Sequence, residues 1–503
     1  MAGVLDRERT VAGPGFNRWL VPPAALAIHL CIGQAYAFSV FKLPLTKALG
    51  ITQSLPDDWS QKALAWTFTL GIVFLGLSAA VFGRWLERVG PRRSGVTAAI
   101  CWSAGFLLSA LAVKIHNIWL LYFGYGIVGG CGLGLGYITP VSTLIKWFPD
   151  RRGLATGMAI MGFGGGAMIA SPLSQMLMDH FKSDTSVGVV PTFVVMGLVY
   201  GVAMLAGAFG FRVPAPGWKP TGWHPPASQS ALVTGRNVHV DVAWKTPQFW
   251  FLWIVLCTNV SAGIGVLEQA SPMIQEIFKG AVTASAAAGF VGLLSLFNIA
   301  GRFGWASFSD RLGRKRTYFT FFVLGPLLYS TVPRLGAAGQ LGLFVAAFCV
   351  ILTMYGGGFA TIPAYLADIF GTQYVGAIHG RLLTAWSTAG IVGPMLVNSI
   401  RESQIAAGVP AAQAYNTTMY ILAGLLLVGL VANLLVRPVD PKYYLETGAE
   451  STPAATAAGA PGGAAGGARA PFGAVGTLAW LGVVLPLAWG VYETFQKASA
   501  LFR

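Results

Sequence analysis

The sequence predicts an all-α polytopic membrane protein, arranged as two six-helix halves with one more transmembrane helix at the C-terminal end. Three observations predict it. The 503 residues are 55% hydrophobic and 10% charged, with a mean hydropathy of +0.64, whereas soluble domains carry about 25% charged residues. Apolar runs long enough to span about 30 Å of hydrocarbon recur along the whole chain. A short turn of acid, base and Gly occurs twice, as Glu87-Arg88-Val89-Gly90-Pro91-Arg92-Arg93 and Asp310-Arg311-Leu312-Gly313-Arg314-Lys315. The two copies lie a little over two hundred residues apart, the spacing of an internal repeat of half a bundle.

In order, the runs are 20–41, 63–82, 96–113, 119–145, 153–177 and 193–211, then 249–274, 286–309, 318–332, 341–362, 382–400 and 419–436. They divide the chain into an N-terminal half, 1–213, and a C-terminal half, 247–445. The stretch 214–246 holds Pro, Trp, His and Gly with little periodicity and reads as a central cytoplasmic linker. Beyond Tyr444 the composition changes. Residues 446–472 form an Ala/Gly-rich linker without core-forming side chains. Residues 473–503 begin with one more apolar run, long enough for a thirteenth spanning helix; a segment lying in the interface is the alternative.

The formal charge is +15. In a soluble protein that excess suggests nucleic acid. Here the bases collect in short loops after even-numbered runs (Arg84, Arg88, Arg92 and Arg93; Lys146, Arg151 and Arg152; Arg311, Arg314, Lys315 and Arg316), so they set orientation. No nucleic-acid partner is expected; the bilayer is the main partner, in the inner membrane, with the N-terminus cytoplasmic and the monomer favoured. The five cysteines lie singly in apolar runs, without metal spacing or a disulfide framework. Ala35-Tyr36-Ala37 imitates a signal-peptidase site, but the run continues well past an h-region of about 7–15 residues and reads as a span.

The fourth and fifth runs are glycine-rich, with Gly124-Tyr125-Gly126 and Gly162-Phe163-Gly164-Gly165-Gly166 among them. No strand precedes these glycines, which argues against a dinucleotide loop. Small residues let helices approach closely and let half a bundle rock. Between the runs, Lys146-Trp147-Phe148-Pro149-Asp150-Arg151-Arg152-Gly153 is a tight turn in which Pro149 ends one helix.

The repeated turns resemble the signature loop of the major facilitator superfamily, which follows helix two and recurs after helix eight. That resemblance implies the major facilitator fold, with Glu87, Arg88, Asp310, Arg311 and Arg314 in its conformational loops. The copies depart from the signature at Glu87, Pro91 and Ala306. Within the superfamily, Tyr137-Ile138-Thr139-Pro140, the turn 146–155 and the run 162–167 look like the oxalate/formate antiporter family. Residues 259–272 (NVSAGIGVLEQASP) and 355–360 (YGGGFA) fit the same family, which is related to the monocarboxylate transporters. The resemblance implies exchange or symport of small carboxylates, without a cofactor.

Arg302 is the candidate that decides the mechanism. It lies eight residues before Asp310, about 12 Å along a helix. With Asp310 at the cytoplasmic rim, Arg302 falls near the middle of the hydrocarbon, where a charge needs a partner or a wet cavity. Its planar fork matches a carboxylate; the competing role is pairing with Asp310 or capping the helix end. Asn298, one turn earlier on the same face, bonds the substrate or orients Arg302. Animal monocarboxylate transporters hold at this spacing an Asp, which carries a proton; Asn does not.

Oxalate-type relatives also carry a lysine in helix eleven. Run 382–400 holds Trp386, a further substrate-site candidate, but no Lys or Arg; Arg381 and Arg401 stand at its ends. By charge count, one central cation suits formate, lactate or pyruvate better than oxalate, and an inward-reaching Arg381 keeps oxalate open. Tyr125 and Tyr355 are donors to a carboxylate or packing residues. His29 and Glu268 are candidates for a proton or gate role; His29 alternatively is a satisfied polar residue between helices. Lys42 and Lys47 mark the outer mouth.

A membrane enzyme would want clustered His or acids, but the six histidines are dispersed and no metal site is expected. No phosphate-binding Gly-x-x-x-x-Gly-Lys-Ser/Thr loop occurs. A non-transporting sensor on the same fold stays as the third possibility. The function expected is secondary active transport of small carboxylate anions by alternating access, as anion exchange or as proton-coupled symport.

Overall fold

The computed structural model describes residues 3–223, 232–445 and 473–498. The Ala/Gly-rich linker 446–472, residues 224–231 of the central linker, and residues 499–503 lie outside the described residues. The described chain is helical, with isolated bridges but no strand. The first half holds α1 (Val21–Ile32), α2 (Gln61–Val89), α3 (Pro91–Lys114), α4 (Gly130–Trp147), α5 (Arg152–Phe181) and α6 (Val189–Gly210). The second holds α7 (Pro247–Ile277), α8 (Ala284–Leu312), α9 (Arg314–Ala337), α10 (Leu341–Phe370), α11 (Thr384–Ala406) and α12 (Asn416–Leu435). The last helix is α13 (Gly473–Ala498).

Among the described residues, ten spans are long and apolar enough to cross a membrane, α13 included. The helices α8, α9 and α11 fall outside that set, and α8 carries Arg302.

Local chemistry starts and stops these helices. The Ser60 hydroxyl accepts from the Ala63 amide at 3.1 Å to open α2, and Thr283 accepts from Ala286 at 3.2 Å to open α8. Pro91 and Pro247 stand at first helical positions, where the missing N–H leaves nothing unpaired. The two repeated turns have the same geometry. Gly90 (φ +84°) separates α2 from α3, and Gly313 (φ +89°) separates α8 from α9. A side chain is strained at that φ, so both turns call for Gly.

Two predicted spans are built differently from the sequence reading. The first is interrupted: α1 stops at Ile32, a 3-10 stretch covers Gly33–Ala37, and a short helix follows at Ser39–Leu45. The eleventh starts earlier, with a short helix Val375–Leu382 and a joint at Leu383 before α11. The irregular joints place Tyr36 and Trp386 beside one another at the centre, with ring centroids 6.4 Å apart.

The helix α13 packs along the seam between α5 and α8 and also touches α1. Trp480 donates its indole N–H to the Trp19 carbonyl at 3.2 Å, just before α1 begins. Leu487 faces Gly165 of α5, Gly490 faces Met168, and the buried Thr494 faces Gly292 of α8. The other face is exposed and apolar, with Val475, Leu478 and Leu485, as a lipid-facing surface requires.

Candidate functional site: a buried arginine in an aromatic box

The helix α8 puts Asn298 and Arg302 one turn apart on the face turned toward α5 and α10. Arg302 has no exposed surface. Its Nε donates to Asn298 Oδ1 at 2.9 Å, and its Nη1 donates to the Ile160 carbonyl of α5 at 3.2 Å. Its Nη2 makes no hydrogen bond among the described residues. Arg302 forms no ion pair among the described residues. Asp310 does not pair with it, so that competing role is not the one seen; Asp310 bonds Arg314 instead, at 2.6 Å. At Gly164 of α5 an added Cβ would stand 3.2 Å from Arg302 Nε, so Gly there makes room for the guanidinium.

Aromatic rings enclose the charge. The guanidinium carbon lies 5.2 Å from the Phe359 centroid and 5.9 Å from the Phe163 centroid, within range of a cation–π attraction. Trp386 joins these walls, 4.6 Å from Phe359, 5.3 Å from Phe163 and 5.3 Å from Tyr137. Tyr355 stands edge-on to Phe359 at 5.3 Å. The Tyr36 and Tyr355 hydroxyls lie within electrostatic reach of Arg302. Among the described residues the Tyr137 hydroxyl and the Trp386 indole N–H are buried without a partner, and the Tyr36 and Tyr355 hydroxyls and Arg302 Nη2, which lie against one another, form no well-aligned hydrogen bond. Buried donors in native proteins are nearly always paired. A box with one cation, several unmet donors and aromatic walls has the chemistry to hold a small anion with an apolar body.

Arg302, Asn298, Tyr355 and Trp386 are thus brought together. Tyr125 is not. It lies in a π-wound stretch, Tyr122–Gly129, where its hydroxyl donates to Gln34 Oε1 at 3.0 Å and its ring packs on Phe38 at 4.6 Å. Packing and local hydrogen bonding explain that residue. Arg381 does not reach inward: it pairs with Asp241 at 2.7 Å. Arg401 pairs with Glu276, its Nε standing 3.2 Å from the carboxylate. Glu268 lies on α7, and its side chain is outside the described residues. His29 is buried between backbone carbonyls. The residues that sequence reasoning missed are Tyr36, Tyr137, Phe163, Phe359 and His379. Only the unmatched polar tips of Tyr36 and Tyr137 within apolar runs, and of His379 just before the eleventh run, hinted at them.

At the basic end, several ties join the halves. Asp310 accepts from the Gly153 and Leu154 amides at 2.8 and 2.9 Å, so a C-terminal-half carboxylate caps α5 of the first half. Asp368 at the end of α10 pairs with Arg152 at 2.8 Å and with Arg314 at 3.1 Å. Glu87 pairs with Lys146 at 2.5 Å and accepts from the Gly376 amide at 3.1 Å. Arg88 and Arg311 are exposed and make no ion pair among the described residues. No cluster of three metal-ligating side chains occurs among the described residues.

The oxalate:formate antiporter of Oxalobacter formigenes is 26% identical over 378 residues, 75% of this chain and 83% of that protein. Human monocarboxylate transporter 11 is 25% identical over 404 residues, 78% of this chain and 79% of its own length. The solved structure of the E. coli fucose:proton symporter FucP aligns with a TM-score of 0.58 at 14% identity, covering 84% of this chain and 100% of that one; at that identity it shows the fold alone. The profile of the Major Facilitator Superfamily matches residues 24–394. The chain belongs to the Major Facilitator Superfamily, whose members are multi-pass membrane transporters and not enzymes.

Proposed function

We propose that the protein carries small carboxylate anions across the inner membrane by alternating access, exchanging one anion for another. The observation that carries this reading is the Arg302 guanidinium, buried without a counter-charge among the described residues, with Nη2 making no hydrogen bond to them inside a donor-lined aromatic box. The names of the antiporter and monocarboxylate relatives support the same substrate class. Arg381 and Arg401 are both engaged by acids outside the box, so the charge count favours a monocarboxylate over oxalate.

The site's groups have distinct tasks. Arg302 attracts the carboxylate, Asn298 fixes the fork, and Tyr36, Tyr355 and Trp386 donate to the oxygens while Phe163 and Phe359 exclude water. An empty cavity carrying a bare cation reorients slowly through a low-dielectric layer, and a bound anion removes that charge. Opening the basic end, read as cytoplasmic, requires Asp310 to leave the α5 amides and Asp368 to leave Arg152.

The test is uptake of labelled formate, lactate, pyruvate and oxalate into proteoliposomes, with and without unlabelled anion inside. Stimulation by internal anion supports exchange, and no uptake of any of the four contradicts the substrate class. Proton-coupled symport is a second reading, favoured by one observation, the carbonyls around His29.

A further inference from the structure

The helix α13 contributes no side chain to the anion box, yet it lies directly behind one of the box's walls. Gly476, Trp480, Val483, Leu487, Gly490 and Thr494 recur along it at alternating steps of four and three residues, the spacing of one helix face laid along a neighbour. On that face Gly476, Val483, Gly490 and Thr494 are buried and Trp480 and Leu487 half-buried, while Leu478 and Leu485 on the opposite face are exposed. Gly490 lets the backbones close up: an added Cβ there would stand 3.1 Å from the Met168 carbonyl oxygen of α5. Lipid contact alone asks for no such face, so α13 has a built seat on the bundle.

The wall between α13 and Arg302 is α5, and at this level it is one backbone thick. Gly164 faces the box: an added Cβ would stand 3.2 Å from Arg302 Nε and 3.0 Å from Ile299 Cγ1. The next residue, Gly165, faces the other way, and an added Cβ would stand 2.6 Å from Leu487 Cδ1 and 3.4 Å from Leu30 Cδ2 of α1. Leu487 therefore occupies the notch that a side chain on Gly165 would fill. One turn earlier on α5, the Ile160 carbonyl accepts from Arg302 Nη1 at 3.2 Å. That bond joins the halves, since α5 belongs to the first and α8 to the second. The seat of α13 joins them too: Trp480 bonds Trp19 at 3.2 Å, and the Thr494 methyl stands 3.1 Å from a Cβ added at Gly292 of α8.

We propose that Leu487 of α13 is a positioning residue for the anion site: seated at Gly165, it backs the thin wall of α5 and so keeps Gly164 and the Ile160 carbonyl against the Arg302 fork. The proposal rests on Arg302 as the carboxylate site and adds what holds its fork in place. The Ile160 carbonyl fixes Nη1 and Asn298 fixes Nε, which leaves the Nη2 edge turned to the box. A void at Leu487 removes the packing behind Gly165, and the wall relaxes outward into it. The carbonyl then draws away from Nη1, the guanidinium gains rotational freedom, and the anion must order it on binding. Rocking turns the halves about the site, so the α5–α8 contact at Arg302 persists while the two ends part in turn. The seat of α13 lies along that same seam, and Leu487 acts at the level where the seam stays closed.

The test is calorimetric titration of formate, lactate, pyruvate and oxalate into purified full-length variants. Leu487→Ala is expected to weaken anion binding about tenfold, the effect of losing one hydrogen bond to a charged group. Leu478→Ala, on the exposed face of the same helix, leaves affinity unchanged. Gly165→Ala added to Leu487→Ala returns a methyl to the vacated notch and recovers most of the loss. Leu487→Val removes less bulk at the same spot and is expected to weaken binding about threefold, a readout that stands if Leu487→Ala does not fold. A lysine at the site has no planar fork to orient, so in the Arg302→Lys background Leu487→Ala is expected to change affinity by about twofold or less, whereas a general loosening of the bundle weakens both backgrounds alike. Unchanged affinity in the Leu487 variants, an equal loss in the Arg302→Lys background, or no recovery with Gly165→Ala overturns the proposal while leaving Arg302 in place. Wild type that binds none of the four anions overturns the carboxylate reading and this inference with it.

Discussion

Asn298 Oδ1 accepts from Arg302 Nε at 2.9 Å, one turn away on the same helix, and this bond turns the free Nη2 edge of the guanidinium into the aromatic box. Asn298→Asp replaces that neutral acceptor with a carboxylate on the same atom. The new charge competes with the substrate for Arg302. Anion affinity is expected to fall by about 2 kcal/mol, roughly thirtyfold in Kd. Titration of the purified variant measures it, and unchanged affinity contradicts the assignment.

Asp368 serves two arginines from different halves, Arg152 and Arg314. Asp368→Asn leaves Arg152 without a carboxylate in a largely buried position, a change that costs about 3 kcal/mol when a buried pair is broken. The basic end then opens more often. A cysteine placed at Thr361, which is buried on α10, is expected to react faster with a thiol reagent in the Asp368→Asn background. An equal labelling rate removes Asp368 from the closure.

The pH dependence at the linker has a definite sign. The Arg381 hydrogen bond is the main reason the Asp241 carboxyl titrates below its ordinary range. A depressed folded-state pKa contributes stability above the unfolded value of about 4, and that contribution is lost as pH falls through the folded one. Asp241 is 42% exposed, so its pairs with Arg381 and Arg84 contribute about 1 kcal/mol or less. Asp241→Asn is expected to lower thermal stability slightly at pH 7 and by less at about pH 3, below the unfolded value of about 4. An equal loss at both pH values excludes the ion pair as its cause.

Arg302, Asn298 and the paired turns were legible in the sequence because charge inside an apolar run has few explanations, and because Gly90 and Gly313 repeat with their neighbouring acids. The box was not. Phe163, Phe359, Tyr36 and Tyr137 lie in runs that are apolar on every side, so helical periodicity does not tell a cavity wall from a lipid-facing or core ring. Tyr36 reaches the centre through the 3-10 stretch after Ile32, which has no Pro or charge to announce it, and Trp386 through the joint at Leu383, where Arg381 marks the end of the preceding helix. Of the two roles open to Tyr125, the structure favours packing for the converse reason: its hydroxyl is matched inside its own half by Gln34, a partner distant in sequence. Arg381 stood at the right end of the right run, but Asp241 of the central linker holds it outside.

The seat of α13 is checked by cross-linking. Met168 on α5 lies 3.2 Å from the position of a Cβ added at Gly490, slightly closer than the roughly 3.5–4.5 Å typical between disulfide-linked Cβ atoms. The double variant Met168→Cys, Gly490→Cys is expected to form the disulfide under mild oxidation in the membrane, within one chain. Absence of the cross-link, or one formed only between chains, contradicts the docking of α13 over the α5–α8 seam.

The most direct measurement is counterflow of labelled pyruvate and formate through wild type, Arg302→Lys and Arg302→Gln in matched proteoliposomes. Arg302→Lys keeps the charge and loses the planar fork, and is expected to slow exchange about tenfold to a hundredfold. Arg302→Gln keeps neither and is expected to abolish it. Exchange at the wild-type rate in Arg302→Gln would show that the anion is held elsewhere.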